Sequence, residues 1–187
     1  MYLNCHSYFS YKYGTLSPKN LLQAAAAHGL KSLALTDINS TSACMETVRL
    51  AADLDLKIIL GIDFRNGAEQ QYIALAKNND GFRAINAHLS SYLTTEKPLI
   101  PSRAPALEHT YIIYPLERYD DFPLLDHEYI GIRPEQLTSF RRKKVRIDPS
   151  RLVVLQTVSY QTKAQYNARK LLRAIGNNTL LSTLPPN

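Results

Sequence analysis

Four short stretches carry side chains that could do chemistry together: "HSYFS" (6–10), "LTDIN" (35–39), "LGIDF" (60–64) and "QTVSY" (156–160). Imidazole and carboxylate groups are ligands for zinc, manganese or magnesium. Such ions turn a bound water into a nucleophile near neutral pH. A second histidine two residues after His6 would complete a ligand pair, but Tyr8 stands there. Taken singly, each candidate has a plainer use. A histidine after a strand is more often a hydrogen-bonded structural residue, Asp37 can cap the following helix, and Asp63 can hydrogen-bond a loop. His28 sits at a helix end, His88 on a helix, and His127 with Glu128 at a strand start, none at metal-ligand spacing.

The elements that must position these residues read as strands followed by helices. "YLNC" (2–5), "SLALT" (32–36), "KIILG" (57–61), "QYIALA" (71–76), "TYIIY" (110–114), "EYIGI" (128–132) and "RLVVLQ" (151–156) are short apolar runs of strand length. "SPKNLLQAAAAHG" (17–29) has Ser17 to cap, Pro18 for the first helical position and Gly29 for a left-handed stop. "STSACMETVRLAADLDL" (40–56) predicts a helix with Cys44, Val48, Ala51 and Ala52 inward. Phe82, Ile85, Leu89 and Tyr92 recur at helical spacing, as do Leu171, Leu172 and Ile175 near the end. About seven strand–helix units predict a parallel α/β barrel, whose functional residues lie just past the strands. Those positions are His6 and Tyr8, Asp37 and Ile38, Asp63, and Thr157 to Ser159. "PLIPSRAPALEH" (98–109) reads as a loop. No GxGxxG follows the first strand and no P-loop is present, which removes the usual nucleotide-binding motifs.

Composition narrows the classes further. The chain has 187 residues, enough for one domain with a real core or for part of a larger protein. No apolar run approaches a membrane span, and the start lacks the basic and apolar parts of a signal peptide. Cys5 and Cys44 follow no zinc spacing and are too few for a disulfide framework, so a reduced, cytoplasmic setting fits. The net charge of +6 is a mild bias toward polyanions. Part of it lies in "RRKKVR": Arg141, Arg142, Lys143, Lys144 and Arg146. Such a run is usually a solvated loop, and otherwise a patch for nucleic acid or a partner.

Together the four stretches become specific. H-S-x-F-S near the start, a helix, "ALTDIN" and then "IILGIDF" resemble the opening of the polymerase and histidinol phosphatase (PHP) domain. "EYIGIRPEQL" (128–137) and "YNARKLLRAIGNNTLLSTLP" (166–185) look like the PHP domain that begins the alpha subunit of bacterial DNA polymerase III. The resemblance covers most of the chain and implies a distorted (β/α)7 TIM-like barrel with up to three divalent ions at the strand ends. It implies a single PHP domain over residues 1–187, an excised N-terminal part of a longer polymerase chain.

Residue by residue, the resemblance implies a degenerate metal site. His6 matches the first ligand of an H-x-H pair whose second is replaced by Tyr8. Asp37 matches the aspartate of T-D-H, with Ile38 in place of the histidine. Asp63 stands where the family has glutamate, and Thr157 and Ser159 replace the ligands of a D-x-H. Isoleucine offers no donor atom and a neutral tyrosine is a poor ligand beside imidazole. The expectation is no catalytic residue and no cofactor, or at most one weakly held zinc, manganese or magnesium ion. Tyr8 and Ile38 would fill with packing the space where ions sat.

Three functions follow. The first is a non-catalytic scaffold or docking domain of a replicative polymerase, its partners being the rest of the polymerase chain, a proofreading exonuclease subunit, and DNA through the parent enzyme. The second is a metal-dependent phosphoesterase or 3′–5′ exonuclease in which His6, Asp37 and Asp63 hold one ion with help from His109 or His127. The third is a nucleic-acid-binding module using "RRKKVR" with Arg151, Arg169 and Arg173.

Overall fold

A computed structural model describes residues 1–96, 99–142 and 147–184. Its elements are β1 (Tyr2–Cys5), α1 (Pro18–Ala27), β2 (Ser32–Leu35), α2 (Cys44–Ala51), β3 (Lys57–Asn66), β4 (Glu69–Ala76) and α3 (Asn79–Leu93), then β5 (Thr110–Pro115), β6 (Glu128–Ile132), α4 (Leu137–Arg142), β7 (Leu152–Val154), β8 (Thr157–Val158) and α5 (Lys163–Asn177). The cap signals act as the residues suggest. Ser17 Oγ accepts the Asn20 N–H at 3.1 Å, and Gly29 takes φ +67° at the end of α1. Thr162 and Gln165 form a reciprocal capping box on α5.

The strands make one sheet in the order β7-β6-β5-β4-β3-β2-β1-β8. Its two outer strands are consecutive in the chain, joined only by Leu155 and Gln156, a link of at most about 10 Å. The sheet therefore curls until its edges nearly meet, giving a distorted TIM-like barrel. Inside the curl lie Ala34, Ile73, Leu75, Ile113 and Leu155. Outside, α1 and α2 cover β1 to β3 through Leu21, Leu22, Cys44 and Ala51, while α3 covers the β3–β5 face through Ile85 and Leu89.

The barrel is not seven strand–helix repeats. β4 runs antiparallel to both β3 and β5, and all other pairs are parallel. β3 and β4 are a hairpin turning at Gly67–Ala68, where Gly67 has φ +59°, and no α-helix intervenes between β5 and β6 or between β7 and β8. Two helices also present faces other than those expected. On α2, Val48 is exposed, as is Ala52 just past the helix, while Cys44, Thr47 and Ala51 are buried. On α5, Leu171 and Ile175 are exposed and the buried residues are Arg169 and Ala174. The reason is that α5 lies over a polar end of the barrel, so its inward stripe is polar. The backbone of 141–142 ends α4; the side chains of Arg141 and Arg142, and Lys143, Lys144 and Arg146 altogether, lie outside what the structure describes.

Candidate functional site at the barrel mouth

Every strand except β4 points the same way, so the ends of β1, β2, β3 and β8 meet at one mouth. Strand alternation decides what faces it. Asn4, His6, Thr36, Asp37, Asp63, Arg65 and Ser159 are all buried there, and the sequence candidates His6, Asp37 and Asp63 do come together.

Asp37 is held by the loop after β1. Its Oδ1 accepts the Ser7 N–H at 2.6 Å and the Ser10 hydroxyl at 2.7 Å, and its Oδ2 accepts the Ser7 hydroxyl at 2.6 Å. Ser10 Oγ in turn accepts the Ile38 N–H at 3.0 Å. Asp37 therefore ties two loops together and caps no helix; α2 follows Ala43, which offers no side-chain cap. The loop can fold so tightly because residue 14 is glycine: a Cβ there would lie 1.8 Å from the Ser7 carbonyl oxygen.

His6 is fully buried. Nε2 faces two acceptors, Asn4 Oδ1 at 2.8 Å and Asp63 Oδ2 at 3.3 Å, and so carries the proton. Nδ1 lies 3.0 Å from Ser10 Oγ. Burial, outweighing the pull of Asp63, holds the imidazole below its ordinary pKa. Asn4 is fixed in turn by the Thr36 hydroxyl at 2.8 Å and donates to Thr157 Oγ1 at 2.9 Å.

The decisive group is one the sequence reading did not single out. Arg65, two residues after Asp63 on β3, donates to Asp63 Oδ2 from Nε at 2.9 Å and from Nη2 at 2.7 Å. Both side chains are buried. Burial alone would raise Asp63, but the guanidinium and His6 overcome it and hold the carboxyl at about 2. Asn39, at φ +46°, clamps the Arg65 backbone from both sides, accepting its N–H at 2.9 Å and donating to its carbonyl at 2.8 Å. Tyr13 completes the wall, its ring 5.0 Å from His6, 4.8 Å from the Arg65 guanidinium and 4.4 Å from that of Arg169.

Tyr8 does not fill the centre. It lies in the turn after β1 and is 46% exposed. Ile38 is half-buried and meets Asp63 through a backbone bridge. His109 and His127 precede β5 and β6, at the opposite end of the barrel, and cannot join His6. Cys5 and Cys44 are pushed up to about 12, chiefly by burial, so neither is a thiolate near neutral pH. As arranged, Asp37 accepts from three donors and the Arg65 guanidinium occupies Asp63 Oδ2, while Asp63 Oδ1 is buried with no hydrogen-bond partner among the described residues. Among the described residues no group of three or more His, Cys, Asp or Glu is placed to hold a metal.

Residues 3–122, well over half of the chain, match the model of the PHP domain. The chain belongs to the PHP domain family. Relatives of this PHP domain include the error-prone DNA polymerase of Mycobacterium tuberculosis, 28% identical over 99 residues, covering 48% of this chain and 9% of that one. The error-prone DNA polymerase of Pseudomonas fluorescens is 30% identical over 83 residues, covering 44% and 8%. The chain thus spans under a tenth of the length of these curated relatives. Among solved structures, a two-domain protein from Bacteroides vulgatus containing a predicted PHP-like metal-dependent phosphoesterase superposes with a TM-score of 0.52 at 10% identity, over 90% of this chain and 54% of that one.

Beside the His6–Asp63 pair, the mouth of this PHP domain opens into a cleft of about 870 Å³ between the barrel rim and α5. Thr157 and Ser159 lie on its wall, but in structural roles: Thr157 receives Asn4, and the Ser159 carbonyl accepts the Thr15 hydroxyl at 2.9 Å. Arg169 and Arg173 line the same cleft, whereas Arg151 reaches Asp126 at 2.9 Å elsewhere. No helix among the described residues is long and apolar enough to cross a membrane.

Proposed function

We propose that this PHP domain has exchanged metal chemistry for an internal ion pair and serves as a non-catalytic scaffold or docking domain of a DNA polymerase chain, either of the error-prone type or of the replicative alpha-subunit type. The observation that carries the reading is Arg65 on Asp63. A buried guanidinium, hydrogen-bonded twice to the carboxylate that lies 3.3 Å from His6, supplies the positive charge that an ion would otherwise bring. The domain then keeps its barrel without needing metal. Leu171 and Ile175, one turn apart and exposed on α5, together with exposed Leu180 and Leu181, offer apolar surface for the rest of such a chain.

The test is elemental analysis of the protein purified without chelator, repeated after incubation with manganese and zinc, together with melting curves in the presence and absence of EDTA. The expected result is no stoichiometric metal and no change in Tm. Two or three ions per chain, or hydrolysis of a phosphate ester that EDTA abolishes, would overturn the reading.

A further inference from the structure

The end of the barrel opposite His6 is open between two strands. β3 begins at Lys57, yet its ladder with β4 stops at the pair Gly61–Leu75, so residues 57–60 pair with β2 alone. Where β3 and β4 part lies a cavity of about 680 Å³. It joins two apolar surfaces that a closed ladder would separate. Leu3, Ile59, Tyr129 and Val153 reach it half-buried from inside the curl. Ile58, Leu60 and Phe82 reach it half-buried from the outer layer. Met1, Val48 and Tyr111 stand exposed on its rim.

The charges around this cavity have one sign. Lys57 and Lys77 line it, and no described carboxylate does. Strand alternation carries both to the inner side, Lys57 with Ile59 and Lys77 with Leu75. Neither lysine forms an ion pair among the described residues. Lys77 Nζ instead rests 4.2 Å from the centre of the Tyr111 ring, which stands 5.9 Å from that of Tyr129. Glu108 borders the far side of Lys77 without pairing with it, and Asp80 on α3 is turned to Arg83 at 3.3 Å.

We propose that this cavity binds a small apolar anion, a carboxylate on an unbranched alkyl chain. The chain lies between the parted strands, and the head meets Lys77 and Lys57 at the rim. Apolar walls with a few polar groups at the opening, in a space of about 300–1,000 Å³, are the usual make-up of a small-molecule site. Lysine stems extend the apolar wall while their ammonium groups stay in water, where a carboxylate can reach them. A neutral ligand would leave the one-sided charge unused, and a cationic one would oppose it. The site is at the far end of the barrel from the Asp63–Arg65 pair and does not depend on the scaffold reading.

Calorimetric titration at low salt with hexanoate, octanoate and decanoate, each below its micelle concentration, tests this. The expected result is one saturable site that tightens about threefold to fourfold for each added methylene. Decylammonium, with the same tail and the opposite charge, should bind at least about tenfold more weakly than decanoate, the sum of an attraction lost and a repulsion gained. Lys57→Gln and Lys77→Gln change exposed side chains that hold nothing in the fold. Each should weaken decanoate a few-fold, as for an exposed ion pair, and leave decanol binding unchanged. The proposal is overturned if decanoate shows no saturable site, if decylammonium binds as tightly, or if both lysine variants bind decanoate as the wild type does.

Discussion

Replacing Arg65 by methionine isolates the group on which the site depends. Methionine keeps the length and the apolar stem but leaves Asp63 buried and short of both guanidinium hydrogen bonds. Removing one partner of a buried ion pair typically costs about 3–5 kcal/mol. For a domain of this size each kcal/mol lowers Tm by about 2–4 °C, so Arg65→Met should melt roughly 6–20 °C below the wild type at pH 7. The deficit should also depend on pH. Without the guanidinium, burial dominates and Asp63 rises above its unfolded value, so the variant loses most stability at neutral pH. As pH falls, either Asp63 or its neighbour His6 takes up a proton and the gap to the wild type narrows. Adding Asp63→Asn to Arg65→Met removes the stranded charge and should recover about 2 kcal/mol, a coupling within the usual range for contacting residues. Urea unfolding of the four proteins of this cycle at pH 7 and pH 5 gives every number needed. A deficit below about 1 kcal/mol, or one that is the same at both pH values, would refute the reasoning.

Three further outcomes follow from the same network. Wild-type stability should fall as pH drops below about 6.5, because His6 and His88 are held neutral by burial while the unfolded chain takes up protons. The Asp63 contribution, about 2 kcal/mol for a carboxyl moved from 3.8 to about 2, survives above pH 3.8 and is lost as pH falls through 2; a flat profile between pH 7 and 5 would contradict the histidine part. Ser10→Ala removes a donor to Asp37, an acceptor for Ile38 N–H and the contact to His6, and should cost about 1–3 kcal/mol in urea unfolding. Gly14→Ala drives a methyl into the Ser7 carbonyl and should cost at least about 1–3 kcal/mol; an unchanged Tm would mean the loop is looser than described.

Much of the fold was legible because local rules and tertiary structure agree. Ser17, Pro18 and Gly29 bound the first helix as their chemistry dictates. The places of His6 and Asp37 just past β1 and β2 were legible, whereas Asp63 joins them from within β3, which runs on to Asn66. The β3–β4 hairpin is written in one glycine, Gly67, which opens the two-residue turn at φ +59°, a small signal inside a repeating strand–helix pattern. Arg65 was legible too: in "IDFRN" strand alternation puts it on the same face as Asp63. What no local pattern contains is Arg169 arriving from α5, a sequence separation of 156 residues from its partner Tyr13. The inward stripe of that helix is polar because it covers a mouth, so hydrophobic spacing pointed to the wrong side.

The clamp of Asn39 on Arg65 has a consequence for anyone who wishes to give this barrel an ion. Installing histidine at positions 8 and 38, the first of which faces outward, leaves the resident cation in place, and an incoming divalent ion would meet a like charge anchored by two backbone bonds. Exchange has to be cation for cation. Position 65 must become neutral in the same step, before any added ligand has value, and each partial design passes through a protein with an uncompensated charge in its interior.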